Sequence, residues 1–304
     1  MSLLRTLTIF FLLSICSSQL AHDPYVIILG ITQDGGSPHA GCENACCKSL
    51  WQHGKKEKIS SIGIIDPKQR KSWMIDATPD FPQQYRKLTV EHNTELAGIF
   101  LTHAHIGHYT GLIHLGREVM GEKNVPVFVM ENMEEFLKSN GPWDQLIRLK
   151  NIQLNRIKKN VNIKIGDSLF IEPFLVPHRD EYSETVGYQV TGQNNSLLYI
   201  PDIDKWNKWE QDIFKIILNI DIALLDGTFY SQNELPNRDM KEIPHPFISE
   251  SMELFFDLST TNRKKIYFIH LNHSNPTLKL NSPEWINVYE EGFNISKEGD
   301  IFRL

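Results

Sequence analysis

AGIFLTHAHIGHYTGL, residues 97 to 112, is the stretch that decides the fold. A short apolar run, Ile99 to Leu101, reads as a buried strand and ends in Thr102. Three histidines follow within six positions: His103, His105 and His108. Side chains of an extended segment repeat every two residues, so His103 and His105 point to one side. His108 then opens an expected helix from Tyr109 to Met120. Imidazole is a good ligand for zinc and similar ions, and ligands on one short loop cost little entropy to gather. The chain has 12 histidines in 304 residues, so three at H-x-H-x-x-H spacing argue against a merely solvated turn.

Outward from this loop, a histidine or carboxylate closes one apolar run after another. Asp76 follows Ser72 to Ile75, and His178 follows Leu169 to Val176. Asp202 follows Ser196 to Ile200, with Asp204 two residues on, and Asp226 closes a further strand, Ile222 to Leu225. His270 follows Ile266 to Ile269. Ligands on loops at one rim of a rigid sheet are a common way to build a site. Tyr25 to Gly30 reads as a first strand, and residues 31 to 51 as a Gly-, Pro- and Cys-rich loop. Within it, Asp34-Gly-Gly36 reads as a plain turn in preference to an anion-binding one. Thr185 to Val190 and Ser196 to Ile200 form a hairpin, while Trp206 to Ile217 and Phe247 to Leu258 read as helices. Strands, a helix, more strands, then helices interleaved with strands fit one α/β domain: two sheets face to face with helices outside.

Hydrophobic content of 41% and charged content of 22% describe a packed globular chain. The net charge is −6 and the basic runs are short, which disfavours a nucleic-acid partner. Arg5, the apolar stretch Leu7 to Ile15 and the small residues Ser17, Ser18 and Ala21 read as a secretory signal. The mature chain would then be residues 21–304, periplasmic or extracellular, with no further stretch long enough to span a bilayer. Lipidation at Cys16 is the weaker alternative, because Ile15 stands where a small residue is wanted. The remaining cysteines, Cys42, Cys46 and Cys47, form an odd cluster, poor for disulfides and suited to a Cys₃His metal site.

The histidine loop resembles the H-x-H-x-D-H signature of the metallo-β-lactamase fold superfamily, an αββα sandwich with its site at the mouth. The resemblance implies His103, His105 and His178 as ligands of a first metal. It implies His108 and His270 for a second, Asp202 as the bridge, and Asp76 as support behind the histidine loop. One position departs: the signature's Asp is Gly107 here. The second metal would therefore lack one ligand, and the pocket would be widened at Gly107. The opening ILGITQDGGSPHAGCENACC resembles two branches, the pyrroloquinoline quinone biosynthesis protein B branch and the phosphodiesterase branch acting on cyclic ribose phosphates. The latter implies His273, three residues after His270, as fourth ligand of the cysteine site, with His39 as rival. The stretches His270-Leu-Asn-His-Ser-Asn-Pro276, Asp226-Gly-Thr228 and His245-Pro-Phe-Ile248 resemble the former and mark His245 as an acid–base or substrate contact.

The expected protein is thus an exported metallo-hydrolase. A metal-bound hydroxide, oriented by Asp202, would attack a small ester-type substrate, a phosphodiester or a lactone. The expected cofactors are one or two catalytic zinc ions, with iron or manganese as substitutes, and one structural zinc. Two other readings stand beside it: an iron-dependent oxygenase in the same pocket, and a non-catalytic binding member of the fold. A role against β-lactams is not favoured.

Overall fold

The structure, a computed structural model, describes residues 23–235 and 239–304. The expected signal segment, Cys16 included, lies outside the described residues. Among the described residues no helix is long and apolar enough to cross a membrane.

The first sheet runs β1 (Tyr25–Gly30), β2 (Ser61–Asp66), β3 (Lys71–Ile75), β4 (Glu95–Phe100), β5 (Val125–Val129) and β6 (Ile152–Arg156), side by side in that order. The second runs β7 (Ile163–Lys164), β8 (Phe170–Leu175), β9 (Val186–Thr191), β10 (Ser196–Ile200), β11 (Ile222–Asp226), β12 (Ile266–Ile269) and β13 (Asn294–Ile295). The last strand, β14 (Ile301–Arg303), returns to pair with β1. Both faces of each sheet are covered, which is why the strands are apolar throughout and do not alternate. In β1, Val26 and Ile28 enter the layer between the sheets, while Ile27 and Leu29 face the helices outside. Phe81, Leu112, Met133 and Leu137 cover the outside of the first sheet, and Ile213, Ile217, Ile248 and Phe255 that of the second. The architecture is the expected αββα sandwich.

Phe100 lies between the sheets, fully buried, stacked on Phe128 at 4.3 Å and edge-on to Tyr188 at 5.8 Å. Phe100→Ala leaves a cavity that the two sheets cannot close. We expect a loss of about 3–5 kcal/mol, read from the urea midpoint at unchanged slope.

Strand direction explains the position of the site. β3 and β4 are parallel, as are β10, β11 and β12. β8 and β10 both run antiparallel to β9, and β1 and β3 both antiparallel to β2, so each of these pairs shares a direction too. The carboxyl ends of β1, β3 and β4 reach one rim of the first sheet, and those of β8, β10, β11 and β12 reach one rim of the second.

Three expected elements differ. The helix from Tyr109 to Met120 is instead a single turn, Ile106–Tyr109, and a 3₁₀ segment, Thr110–Leu115. Its backbone is diverted: the His108 carbonyl accepts from Ala77 N–H, and Gly111 N–H donates to the Ala77 carbonyl, both at 2.9 Å. Gly111 permits this approach, since a Cβ there would overlap the Thr78 carbonyl and stand 2.8 Å from Phe81 Cβ. The loop of residues 31 to 51 contains the start of a helix, Ala45–His53, closed by Gly54 in the left-handed region (φ 61°). The helix from Trp206 to Ile217 breaks into Trp206–Lys208 and Ile213–Asn219, the second capped by the Asp212 carboxylate.

Candidate metal centre

Each half of the sandwich supports its histidines in the same way. In the first, Asp76 ends β3 with φ 70°, a conformation rare outside glycine that turns its carboxylate inward. The carboxylate accepts from Thr102 N–H (2.8 Å), from the Thr102 hydroxyl (3.0 Å) and from His108 Nδ1 (2.7 Å). The Thr102 oxygen lies 3.0 Å from His103 Nδ1. With Nδ1 occupied on both rings, the Nε2 atoms of His103 and His108 face the space between the sheets. In the second half, Asp226 accepts from Thr228 N–H and hydroxyl (2.9 and 2.7 Å), Ile203 N–H (3.1 Å) and His245 Nδ1 (2.8 Å). The Thr228 oxygen lies 3.0 Å from His270 Nδ1, and His270 also has a positive φ, 64°. Asp226, with both oxygens engaged, holds this frame together and has no free lone pair aimed at the centre.

Half or more of the buried side-chain atoms left without hydrogen bonds among the described residues converge here. They include Nε2 of His103, His108, His178 and His270, Nδ1 of His105, and Oδ1 of Asp202. Buried polar atoms are normally paired, so an aligned set of unpaired nitrogens and carboxylate oxygens fits a cation. His103, His105, His178 and Asp202 form one group. His103 Nε2 and His178 Nε2 each lie 3.3 Å from one oxygen of Asp202. His108 and His270 form the other, 3.6 and 3.7 Å from Asp202 Oδ2. Asp202 therefore stands between the two groups. Zinc bonds of about 2.1 Å place the corners of a tetrahedron about 3.4 Å apart, so the donors fit such an ion. Burial, then the neighbouring His108, holds His103 well below the usual histidine range, and burial lowers His178 to about 4. Both are thus neutral, the ligating form, at neutral pH. Burial opposes ionisation of Asp202, but the imidazoles of His178, His270 and His245 outweigh it and hold its carboxyl well below the usual range. Asp204, its rival in sequence, points away, toward Lys205 N–H and the Lys208 ammonium.

His245 is buried, its Nδ1 between Asp226 and Asp202 Oδ1 (3.2 Å) and its ring 5.3 Å from that of His178. At the mouth, His105 Nε2 meets Glu181 at 3.2 Å. The next residue along from each, Ile106 and Tyr182, is exposed.

Position 107 does not widen the pocket. The space beside Gly107 is filled by Asp34, whose Oδ1 lies 3.2 Å from His108 Nε2 and 3.9 Å from His270 Nε2. Asp34 belongs to no expected ligand set, and the turn that carries it is not a plain one: its carboxylate faces the histidines. One signal was available. Asp34 follows β1 by four residues, at the same rim as Asp76 and His103.

The second cluster gathers Cys42, Cys46, Cys47 and His273. Sulfur–sulfur separations are 3.7 Å for Cys42 and Cys46 and 3.9 Å for Cys46 and Cys47, and His273 Nδ1 lies 3.7 Å from Cys46 Sγ and 3.4 Å from Cys47 Sγ. Zinc–sulfur bonds of about 2.3 Å require tetrahedral edges of about 3.8 Å, so these four donors fit one zinc. His39 instead lies against the His273 ring at 4.5 Å, tilted by 31°, and turns Nδ1 to the Ala40 carbonyl. Burial, then Cys42 and Cys47, pushes the Cys46 thiol up to about 12.

Comparison with known proteins agrees with the fold. Coenzyme PQQ synthesis protein B of Gluconobacter oxydans is 22% identical over 92% of this chain and 98% of its own length. Zinc-bound PqqB from Methylobacterium extorquens superposes with a TM-score of 0.77 at 21% identity, over 92% of this chain and all of that one. A diphosphatase of the PhnP family superposes with a TM-score of 0.65 at 21% identity, over 92% of this chain and 97% of its own. Likeness at this level shows a shared fold. A family model, the beta-lactamase superfamily domain, matches residues 72–271, from β3 to the residue after His270. That span carries both halves of the histidine frame, and the chain belongs to the beta-lactamase superfamily.

Proposed function

We propose that this protein is a metal-dependent hydrolase acting on a small ester-type substrate, a phosphodiester or a lactone. The observation that carries the reading is the convergence of unpaired imidazole nitrogens on the Asp202 carboxylate at one rim. The first metal would be held by His103, His105, His178 and Asp202, and the second by His108 and His270 with Asp202 shared. A bound zinc supplies a Lewis acid and lowers the pKa of its coordinated water to about 7. Asp202, placed between the groups, orients the attacking water. His245 keeps a proton on Nδ1 between Asp226 and Asp202 and so fixes the angle of the Asp202 carboxylate. Ile106 and Tyr182, exposed at the mouth, offer apolar contact to the organic part of the substrate. Likeness to a solved diphosphatase supports the phosphoester arm. We also propose that residues 1–20 are a signal peptide and that the domain of residues 21–304 acts outside the cytoplasm.

The test is a screen of phosphodiesters and lactones with the mature chain, before and after stripping with a chelator. Turnover that falls with the metal and returns with added zinc is the expected result. Turnover indifferent to stripping removes the reading. Oxygen consumption by iron-loaded protein, with no hydrolysis, would move the assignment to an oxygenase.

A further inference from the structure

We propose that Asp34 is a ligand of the second metal, and that residue 107 is glycine because the Asp34 carboxylate occupies the space a side chain there would need. The inference rests on the reading of the histidine cluster as a metal centre, and adds to it a donor from a different part of the chain.

Three observations carry it. The first is aim. Asp34 Oδ1 is buried, makes no hydrogen bond, and lies 3.2 Å from His108 Nε2 and 3.9 Å from His270 Nε2. Those nitrogens are themselves buried and unpaired. An unpaired carboxylate oxygen facing two unpaired imidazoles is costly unless a proton or a metal cation joins them, and one divalent cation joins all three groups at once. Asp34, His108 and His270 offer donor atoms that all lie within 4.8 Å of one another, and Asp202 Oδ2 lies 3.6 and 3.7 Å from the same two nitrogens. A zinc-sized divalent ion fits such a set.

The second is exclusion. A Cβ on residue 107 would stand 2.6 Å from Asp34 Cα and 2.9 Å from its Cγ, and would overlap Oδ1. Gly107 is not in the left-handed region, so its backbone does not require glycine. Only the approach of Asp34 does. The carboxylate absent from the histidine loop is thus supplied across the rim from the end of β1.

The third is anchorage. Residues 31 to 34 are stitched to the segment that carries His270. Leu271 N–H donates to the Ile31 carbonyl (2.8 Å), Gln33 N–H to the Leu271 carbonyl (2.9 Å), and the Asn272 amide to Gln33 Oε1 (2.5 Å). Asp34 and His270 therefore hold their relative positions through backbone bonds, as a pair of ligands must.

Zinc per chain at fixed free zinc, together with cobalt titration, tests the assignment. Cobalt at the cysteine cluster gives a thiolate charge-transfer band and cobalt at the histidines does not, so the band reports that each variant is folded. The wild type is expected to fill two positions at the histidine centre. Asp34→Ala and Asp34→Asn should keep the thiolate band and the first histidine-centre metal, and weaken the second on the order of 100-fold. Gly107→Ala should do the same with Asp34 still present, because the added methyl displaces the carboxylate. Wild-type affinity for both metals in Asp34→Ala, or in Gly107→Ala, overturns the proposal. A wild type with one metal at the histidines overturns it while leaving a mononuclear hydrolase intact. A wild type with none removes the hydrolase reading as well.

Discussion

Asp202→Ala is expected to lower kcat/KM on the best ester substrate by about 1,000-fold, above the 10–100-fold that loss of one outer partner of a metal ligand costs. The reason is position. One oxygen of this buried carboxylate lies 3.3 Å from His103 Nε2 and within 3.7 Å of His108 and His270, and the other faces His178 and His245. Its removal deletes a donor from both groups at once and takes away the one carboxylate that the five imidazoles share. Metal content should fall at both positions, and kcat should fall more than KM rises, because the lost carboxylate orients the attacking water. Asp202→Asn keeps the shape and loses the charge, so it should retain more metal than the alanine variant while staying catalytically poor. Asp204→Ala is the control, since Asp204 is tied to the Lys205 amide and the Lys208 ammonium outside the centre. A tenfold effect or less in Asp202→Ala would reduce Asp202 to a buried structural carboxylate.

Much of this arrangement was legible in the sequence because strand ends leave a chemical trace. Asp76, His103, His178, Asp202, Asp226 and His270 each close an apolar run, and parallel strands carry such residues to one rim. The αββα layering was legible for a related reason. Runs such as Val26 to Leu29 are apolar on both faces, which requires cover on both. What was not legible depends on contacts distant in sequence. The diversion of His108 and Gly111 onto Ala77 overrides the helical pattern after the histidine loop, and nothing local to residues 109 to 120 announces it. Asp34 was hidden by its neighbours. Asp-Gly-Gly is ordinary turn composition, and the meaning of Gly107 emerges only when the two loops are seen side by side. The helix Ala45–His53 is a different case: its stop, Gly54, stands in plain view, but its first turn carries Cys46 and Cys47, which read as part of a cysteine-rich loop.

Cys47→Ser is expected to lower the melting temperature by about 10 °C, a loss of several kcal/mol in a domain of this size. Zinc bound to a preformed structural site contributes its binding free energy to folding, and a hydroxyl is a poor substitute for a thiolate. Cys47 is fully buried, accepts from His39 N–H at 3.3 Å, and lies 3.4 Å from His273 Nδ1. The consequence should extend beyond stability. Asp34 lies in the loop that carries the cysteines, and His273 follows His270 by three residues. A metal held by Cys42, Cys46, Cys47 and His273 thus fastens, from outside, the two segments that present Asp34 and His270 to the centre. Affinity for the second histidine-centre metal should therefore weaken in Cys47→Ser, and by reciprocity filling the histidine centre should strengthen zinc binding at the cysteines. Differential scanning calorimetry and chelator competition on the same samples read both effects. A melting point within 2 °C of wild type, about the shift of a 1 kcal/mol change, would mean that the cysteines are reduced thiols without a metal. A full drop in melting temperature with unchanged affinity at the histidines would mean that the backbone bonds of Ile31, Gln33 and Leu271 hold Asp34 in place alone.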